Sequence, residues 1–289
     1  MPHLTLPQAV VDYVELGPPD SALPPVLFVH GALVDARLWS DVGKRLAQNG
    51  FRCILPTWPL GSHTTPVADR AVLSPQGVAE LIHQFILALD MDDVTLVGSD
   101  TGGGVCQFLI DAHPERIGRL VLTNCDAFEV FPPFPFNAVF ALMRSAGSTR
   151  ALGALMRLRA LRHSPLAYGL LMNNPDPGLT ASWIAPASTD SRIAGDFAAL
   201  ARSISHTDLT STAPRLHRFA KPVSLVWGQR DRCFTPELGR RLAALFPNVS
   251  LVEVPDSRTF VSLDNPAAVT AAISEASTGG GADRTILSS

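Results

Sequence analysis

The stretch Thr95-Leu96-Val97-Gly98-Ser99-Asp100-Thr101-Gly102-Gly103-Gly104 is an apolar run that breaks into small residues around a single carboxylate. Its frame Gly98-x-Asp100-x-Gly102 fits the strand-turn-helix nucleophile pattern G-x-S-x-G, with aspartate in the serine position. Small residues two before and two after are required because a turn this sharp brings backbone to where a Cβ would stand. The turn therefore presents a carboxylate rather than a hydroxyl. A carboxylate attacks an sp3 carbon as it stands and leaves an alkyl ester on the protein; a base is needed only when water must hydrolyse that ester. Short glycine patterns recur by accident, so the flanking elements have to support the assignment.

Upstream of this turn, Ala9 to Leu16 and Pro25 to His30 read as strands, the second almost wholly apolar, as in a strand covered on both faces. Leu38 to Asn49 has helical spacing and stops at Gly50, and Phe51 to Leu55 is the next strand. Pro56 to His63 is a loop, and Ser74-Pro75 opens a helix to about Leu89, with Ser as N-cap and Pro at the first helical position. Val94 to Val97 is the central strand, Val105 to Ala112 the helix opened by the turn, and Ile117 to Thr123 a further strand.

From about Phe128 to Thr212 the alternation gives way to short helices broken at Phe131-Pro132-Pro133, Asn173-Asn174-Pro175 and Ala185-Pro186. It resumes with the strand Val223 to Trp227, the helix Pro236 to Leu245, the strand Val249 to Val254 and a helix from Pro266 to about Glu275. The pattern predicts an α/β fold: a doubly wound, mostly parallel sheet with a helical cap inserted after the sixth strand. Residues 1–127 and 213–276 form the core in this reading, 128–212 the cap, and 277–289, with Gly279-Gly280-Gly281, a flexible tail. Ligands of such sheets bind beyond the carboxyl ends of the strands. Ala32, Asp100, Asp126 and Asp231 all stand at such ends, and an insertion leaving there lies over them.

Composition narrows the function. The 289 residues are 46 % hydrophobic and 17 % charged, which fits a well-buried enzyme-like domain and excludes disorder. A net charge of −3 gives no reason to expect nucleic acid or an anionic membrane as partner; a small neutral or apolar substrate fits better, and the oligomeric state is undetermined. Cys53, Cys106, Cys125 and Cys233 are widely spaced, as expected of buried thiols in a reducing cytosol rather than a disulfide frame or metal site. The start lacks a basic n-region and no run of 18 apolar residues occurs, so a cytoplasmic protein is expected. There is no ligand spacing for zinc, and an acid occupies the Gly-rich turn where a phosphate would be repelled, so neither metal nor cofactor is expected.

Taken in order, His30-Gly31, Gly98-x-Asp100-x-Gly102, His113-Pro114-Glu115-Arg116, Trp227-Gly228-Gln229-Arg230-Asp231 and Phe260-Val261-Ser262-Leu263-Asp264-Asn265-Pro266 carry a family resemblance. From about Val26 to Ala276 the chain resembles the α/β-hydrolase family, in particular its aspartate-nucleophile branch of haloalkane dehalogenases and epoxide hydrolases. The resemblance implies Asp100 as nucleophile and the backbone N–H groups of Ala32 and Thr101 as oxyanion hole. It implies Asp231 as the acid that orients a histidine, with Asp126 as the alternative acid; an Asx turn before Pro236 is the simpler reading of Asp231. The ring of His30 is expected only to tie down its loop.

The chain departs from that pattern where the histidine belongs. Pro255-Asp256-Ser257-Arg258-Thr259-Phe260-Val261 carries Thr259 at the position of the base. A threonine hydroxyl can position water but cannot hold a proton taken from it near neutral pH. His63, on a loop at the same end of the sheet, and His206, near the exit of the cap, are the alternative bases, each also readable as a structural or surface residue. Thr101 stands where haloalkane dehalogenases carry an indole, Ala32 replaces a side-chain donor, and Tyr168 is the single tyrosine of a cap in which epoxide hydrolases use two. The expected roof comprises Phe131, Phe134, Phe136, Met143, Met156, Tyr168, Met172 and Trp183, of which Tyr168 and Trp183 are the first candidates to touch substrate. Arg157-Leu158-Arg159-x-x-Arg162-His163 reads as a solvated helix face. Two functions follow: a hydrolase of a small apolar epoxide, alkyl halide or ester, or a protein that keeps the fold but binds ligand or catalyses a rearrangement by acid-base chemistry.

Overall fold

The computed structural model describes residues 2–278. Their strands β1 (His3–Thr5), β2 (Val10–Leu16), β3 (Val26–Val29), β4 (Cys53–Pro56), β5 (Val94–Asp100), β6 (Ile117–Cys125), β7 (Val223–Gly228) and β8 (Val249–Val254) form one sheet. The spatial order is β1-β2-β4-β3-β5-β6-β7-β8, with β2 antiparallel to both β1 and β4 and every later pairing parallel. Strand order reverses direction at β3 and β5, so the crevice of this doubly wound sheet opens above those strand ends. The β3 and β4 runs Val-Leu-Phe-Val and Cys-Ile-Leu-Pro are buried at every residue, because helices cover both faces.

The helices are α1 (Ser40–Gln48), α2 (Pro75–Ala88), α3 (Thr101–Ala112), α4 (Phe136–Leu142), α5 (Ala146–Leu155), α6 (Arg159–Arg162), α7 (Tyr168–Leu171), α8 (Pro177–Thr189), α9 (Ser191–Ile204), α10 (Pro236–Ala243), α11 (Val261–Asp264) and α12 (Pro266–Thr278). Ser74 caps α2 by accepting the Gly77 N–H at 2.9 Å, and Gly50 follows α1 at φ +88°, a conformation that suits glycine. The helices α4 to α9 all fall between β6 and β7, and α5, α8 and α9 pack on one another.

Three local readings change. The short edge strand β1 was not legible, since His3-Leu4-Thr5 carries no alternation long enough to register. The predicted break at Ala185-Pro186 is absent: α8 runs through Pro186, held by the burial of Trp183, Ile184 and Ala187 around it. The last helix extends to Thr278, so the first residues of the predicted tail are helical, and Ser277 Oγ lies 3.0 Å from Thr95 Oγ1. The remainder of that tail, 279–289, lies outside the described residues.

Candidate active site

β5 ends at Asp100 and α3 starts at the next residue, so the turn is one residue wide. Asp100 has φ 54° and ψ −133°, a left-handed conformation that a side chain with a Cβ rarely adopts and that persists only where the surroundings dictate it. Those surroundings are glycines. A Cβ on Gly102 would stand 2.4 Å from the His30 carbonyl oxygen, and one on Gly98 2.7 Å from Cys106 Sγ. A Cβ on Gly31 would lie 2.0 Å from Asp100 Oδ2, so the missing side chain of Gly31 makes the space the carboxylate occupies.

Burial pushes the Asp100 carboxyl up to about 7; the neighbouring backbone N–H groups of Thr101 and Ala32 oppose the shift, while the charge of Asp231 adds to it. The two amides named by the His-Gly pair and the turn are thus both close enough to the carboxylate to favour its ionised form. His30 does what a loop tie does: Nδ1 lies 2.8 Å from the Gly31 carbonyl oxygen and Nε2 accepts the Trp58 N–H at 2.8 Å, which places the proton on Nδ1. Burial lowers its pKa to about 4, so the ring stays neutral.

Asp231 lies in the loop after β7. Its Oδ1 accepts the N–H groups of Cys233 at 2.7 Å and Phe234 at 3.1 Å, the Asx-type turn, which leaves Oδ2 buried and unpartnered. Burial raises its pKa to about 6, opposed by those two N–H groups and more weakly by the side chains of Thr259 and Asn124. Thr259 is itself fully buried, and its hydroxyl closes no hydrogen bond. Asn124 bridges β6 to this loop, accepting the Gly228 N–H at 2.6 Å and donating to the Gly228 and Phe234 carbonyls at 3.1 and 3.2 Å. Asp126, after β6, is fully buried with both carboxylate oxygens unpartnered; burial, then the charge of Asp100, drives its pKa well above the carboxylate range. Asp100, Asp126 and Asp231 thus form one electrostatically linked cluster with no cation in it among the described residues.

Above Asp100 and Thr101 lies a cavity of about 80 Å³ walled by Ala32, Leu33 and the inserted helices. Phe136, Met143, Met156 and Tyr168 line it as expected, joined by Phe140, Leu152, Leu166, Leu171 and Ile184. Phe131, Met172 and Trp183 do not line it, and Phe134 is 73 % exposed. Trp183 is instead an anchor: its indole N–H donates to Asp35 Oδ1 at 3.0 Å, its carbonyl accepts the Ser62 hydroxyl at 2.8 Å, and it is wholly buried. Tyr168 reaches the cavity, but its hydroxyl donates to the Leu33 carbonyl, and burial raises its pKa. Leu33, at φ 55°, is the wall residue that sequence reasoning missed; a strained leucine after His-Gly-Ala has no distinguishing letter.

Neither alternative base is at the site. His63 Nε2 lies 3.4 Å from Asp196 Oδ2 and its Nδ1 accepts the Gly61 N–H at 3.3 Å, so the ring belongs to the junction between α9 and the 61–73 loop. His206 is exposed in the turn after α9 and does not line the cavity. The basic run is also corrected in part. Arg162 is buried, with Nε donating to Thr180 Oγ1 at 3.0 Å and the remaining guanidinium donors reaching the carbonyls of Met156, Arg157 and Pro177. It clamps α6 to α8 rather than facing solvent. Among the described residues no cluster of metal-ligating side chains occurs, and no helix is long and apolar enough to cross a membrane.

A doubly wound sheet with an acid on a strained turn, two amides aimed at that acid and a helical roof defines a class of enzyme-like site. The sequence profile of the alpha/beta hydrolase fold family matches residues 24–266, and the chain belongs to that family. It is 26 % identical over 264 residues to haloalkane dehalogenase 2 of Mycobacterium tuberculosis, covering 87 % of each chain. It is 24 % identical over 241 residues to a 2-hydroxy-6-oxononadienedioate/2-hydroxy-6-oxononatrienedioate hydrolase of Dechloromonas aromatica, covering 80 % of this chain and 78 % of that one. Among solved structures, a putative ancestral haloalkane dehalogenase superposes with a TM-score of 0.75 at 20 % identity, over 96 % of this chain and 99 % of the other. The enol-lactonase of Burkholderia xenovorans gives 0.72 at 18 % identity, over 95 % and 99 %.

Proposed function

We propose that the chain is a hydrolase of a small apolar alkyl halide, epoxide or ester that works through a covalent intermediate on Asp100. Hydrolase-type activity is supported by the dehalogenase and hydrolase relatives. The observation that carries the finer reading is the placement of the Asp100 carboxylate, on a turn at φ 54°, between two backbone N–H donors and an otherwise apolar cavity. In its ionised form one oxygen attacks the sp3 carbon, a C–O bond forms, and halide or the ring oxygen leaves with the electron pair. Water then adds to the ester carbonyl, the N–H groups of Ala32 and Thr101 stabilise the resulting oxyanion, and collapse releases the alcohol.

The second step has no imidazole. Asp231 is the base in this reading, because burial raises it to about 6 and its Oδ2 has no hydrogen-bond partner, with the Thr259 hydroxyl, also without a partner, proposed to orient the water. A weak base makes this step slow, so the ester on Asp100 accumulates. Tyr168 can protonate an opening epoxide only by leaving the Leu33 carbonyl, which favours substrates whose leaving group needs no acid. Intact-mass spectrometry after incubation with apolar halides, epoxides and esters tests the proposal. A substrate-sized adduct on Asp100, releasing product labelled from heavy-oxygen water or returning label to Asp100, is the expected result. Absence of any adduct together with full turnover in Asp100→Asn would overturn it.

A further inference from the structure

A net charge of −3 averages over a strongly uneven chain. Between Glu129 and Asp176 the sequence contains five arginines and no acid. Arg144, Arg150, Arg157 and Arg159 of this segment are exposed, and none forms an ion pair among the described residues. The same segment holds six of the seven large apolar side chains exposed among the described residues: Phe134, Leu142, Leu155, Leu158, Leu161 and Leu166. All of them lie in the segment that also supplies most of the cavity wall. The cavity wall is made on one side by Phe136 and Met143 and on the other by Leu152 and Met156, so the stretches bearing these leucines and arginines meet around it. Leu166 is both a wall residue and 64 % exposed, which places the mouth of the cavity on this surface.

We propose that this outer face of α4 to α6 and the turn that follows docks on a lipid bilayer carrying anionic headgroups. Exposed leucines and a phenylalanine interleaved with arginines, in a segment with no acid of its own, match the boundary between acyl chains and negative headgroups. A second copy of the chain is a poorer occupant, because a two-fold contact through this patch would set its arginines against themselves. An apolar substrate dissolved in the bilayer then enters beside Leu166 without crossing water. That delivery role rests on the hydrolase reading; the docking does not.

The test is co-sedimentation of the full chain with vesicles of phosphatidylcholine containing about 30 % phosphatidylserine, against pure phosphatidylcholine, at about 0.15 M and about 1 M salt. Wild type pellets with the anionic vesicles and is released by high salt. The double variant Arg157→Gln/Arg159→Gln binds more weakly by roughly fivefold for each arginine removed. Leu155→Glu/Leu158→Glu, whose positions do not line the cavity, loses binding while its circular dichroism and melting temperature stay at the wild-type values. If that variant misfolds, the arginine pair alone decides. Wild type remaining in the supernatant at every composition overturns the proposal, as does vesicle binding that neither salt nor the arginine variant weakens. A concentration-dependent dimer abolished by Leu158→Glu, with no vesicle binding, assigns the face to a second copy instead. None of these measurements reads the chemistry at Asp100, so failure here leaves the hydrolase proposal standing, and an absent mass adduct leaves the docking standing.

Discussion

Asp196 and Asp231 are acids of nearly equal burial, 1 % and 4 % exposed, yet their surroundings move them in opposite directions. Burial alone would raise Asp196, but His63, the Arg70 guanidinium at 2.8 Å and the Val67 N–H at 3.1 Å bring it below the usual carboxylate range. Asp35, at the other cap contact, behaves the same way through Arg37 and also holds the Trp183 indole. Both fasten the inserted helices to the sheet. Asp100, Asp126 and Asp231 have no cationic partner among the described residues and are pushed up. An acid buried for structure is neutralised by a partner; acids buried together without one cost stability, which is the contrast the proposed chemistry at Asp100 accounts for.

The largest effect that would break this contrast is at Asp100. In Asp100→Asn, adduct formation vanishes and turnover falls by on the order of 10⁴-fold, while the fold survives. An asparagine variant with native turnover would place Asp100 among the structural acids. The next effect runs the other way. Asp196→Ala strands His63, Arg70 and the Val67 N–H; because Arg70 is partly in solvent, the cost is about 2 kcal/mol, below that of breaking a fully sealed pair. Urea unfolding measures it, and an unchanged midpoint would remove Asp196 as an anchor. The stabilisation from Asp196 is present above the unfolded pKa and is lost as pH falls through its depressed folded value.

Much of this was legible in the letters. The alternation of apolar runs and helical spacing placed β2 to β8, most clearly the buried parallel strands β3 to β7, whose interiors require nearly continuous apolar residues. The turn around Asp100 was legible because its steric demand restricts neighbouring positions to glycine. The anchors were not: nothing local in Ser62-His63 or Gly195-Asp196 says that residues 133 apart will meet. For the same reason Trp183 read as a ligand contact when its N–H was already committed to Asp35 across the cap junction. Periodicity reports which face of an element is buried, not what the opposing element offers it.

Asp126 sharpens the contrast at a smaller scale. Its folded pKa lies well above the unfolded value near 3.9, so across that interval the folded chain holds a proton the unfolded chain has released, and stability falls as pH rises. Asp126→Asn removes that loss. The variant melts like wild type near pH 4 and is more stable by about 1 kcal/mol at pH 8, a rise of roughly 2–4 °C. An advantage equal at both pH values would show that repacking, not charge, is responsible.

The smallest effect separates the roles of the two remaining acids. Attack requires ionised Asp100, so the single-turnover rate of adduct formation rises with pH through a midpoint of about 7. Asp231 helps set that midpoint, because its negative charge resists ionisation of Asp100. In Asp231→Asn the midpoint therefore moves to lower pH, and adduct forms faster than in wild type at pH 6. Its release slows in the same variant, because the base is gone. A structural defect would slow both steps and leave the midpoint in place; only a carboxylate that is at once neighbour to the nucleophile and base for water gives opposite changes in the two.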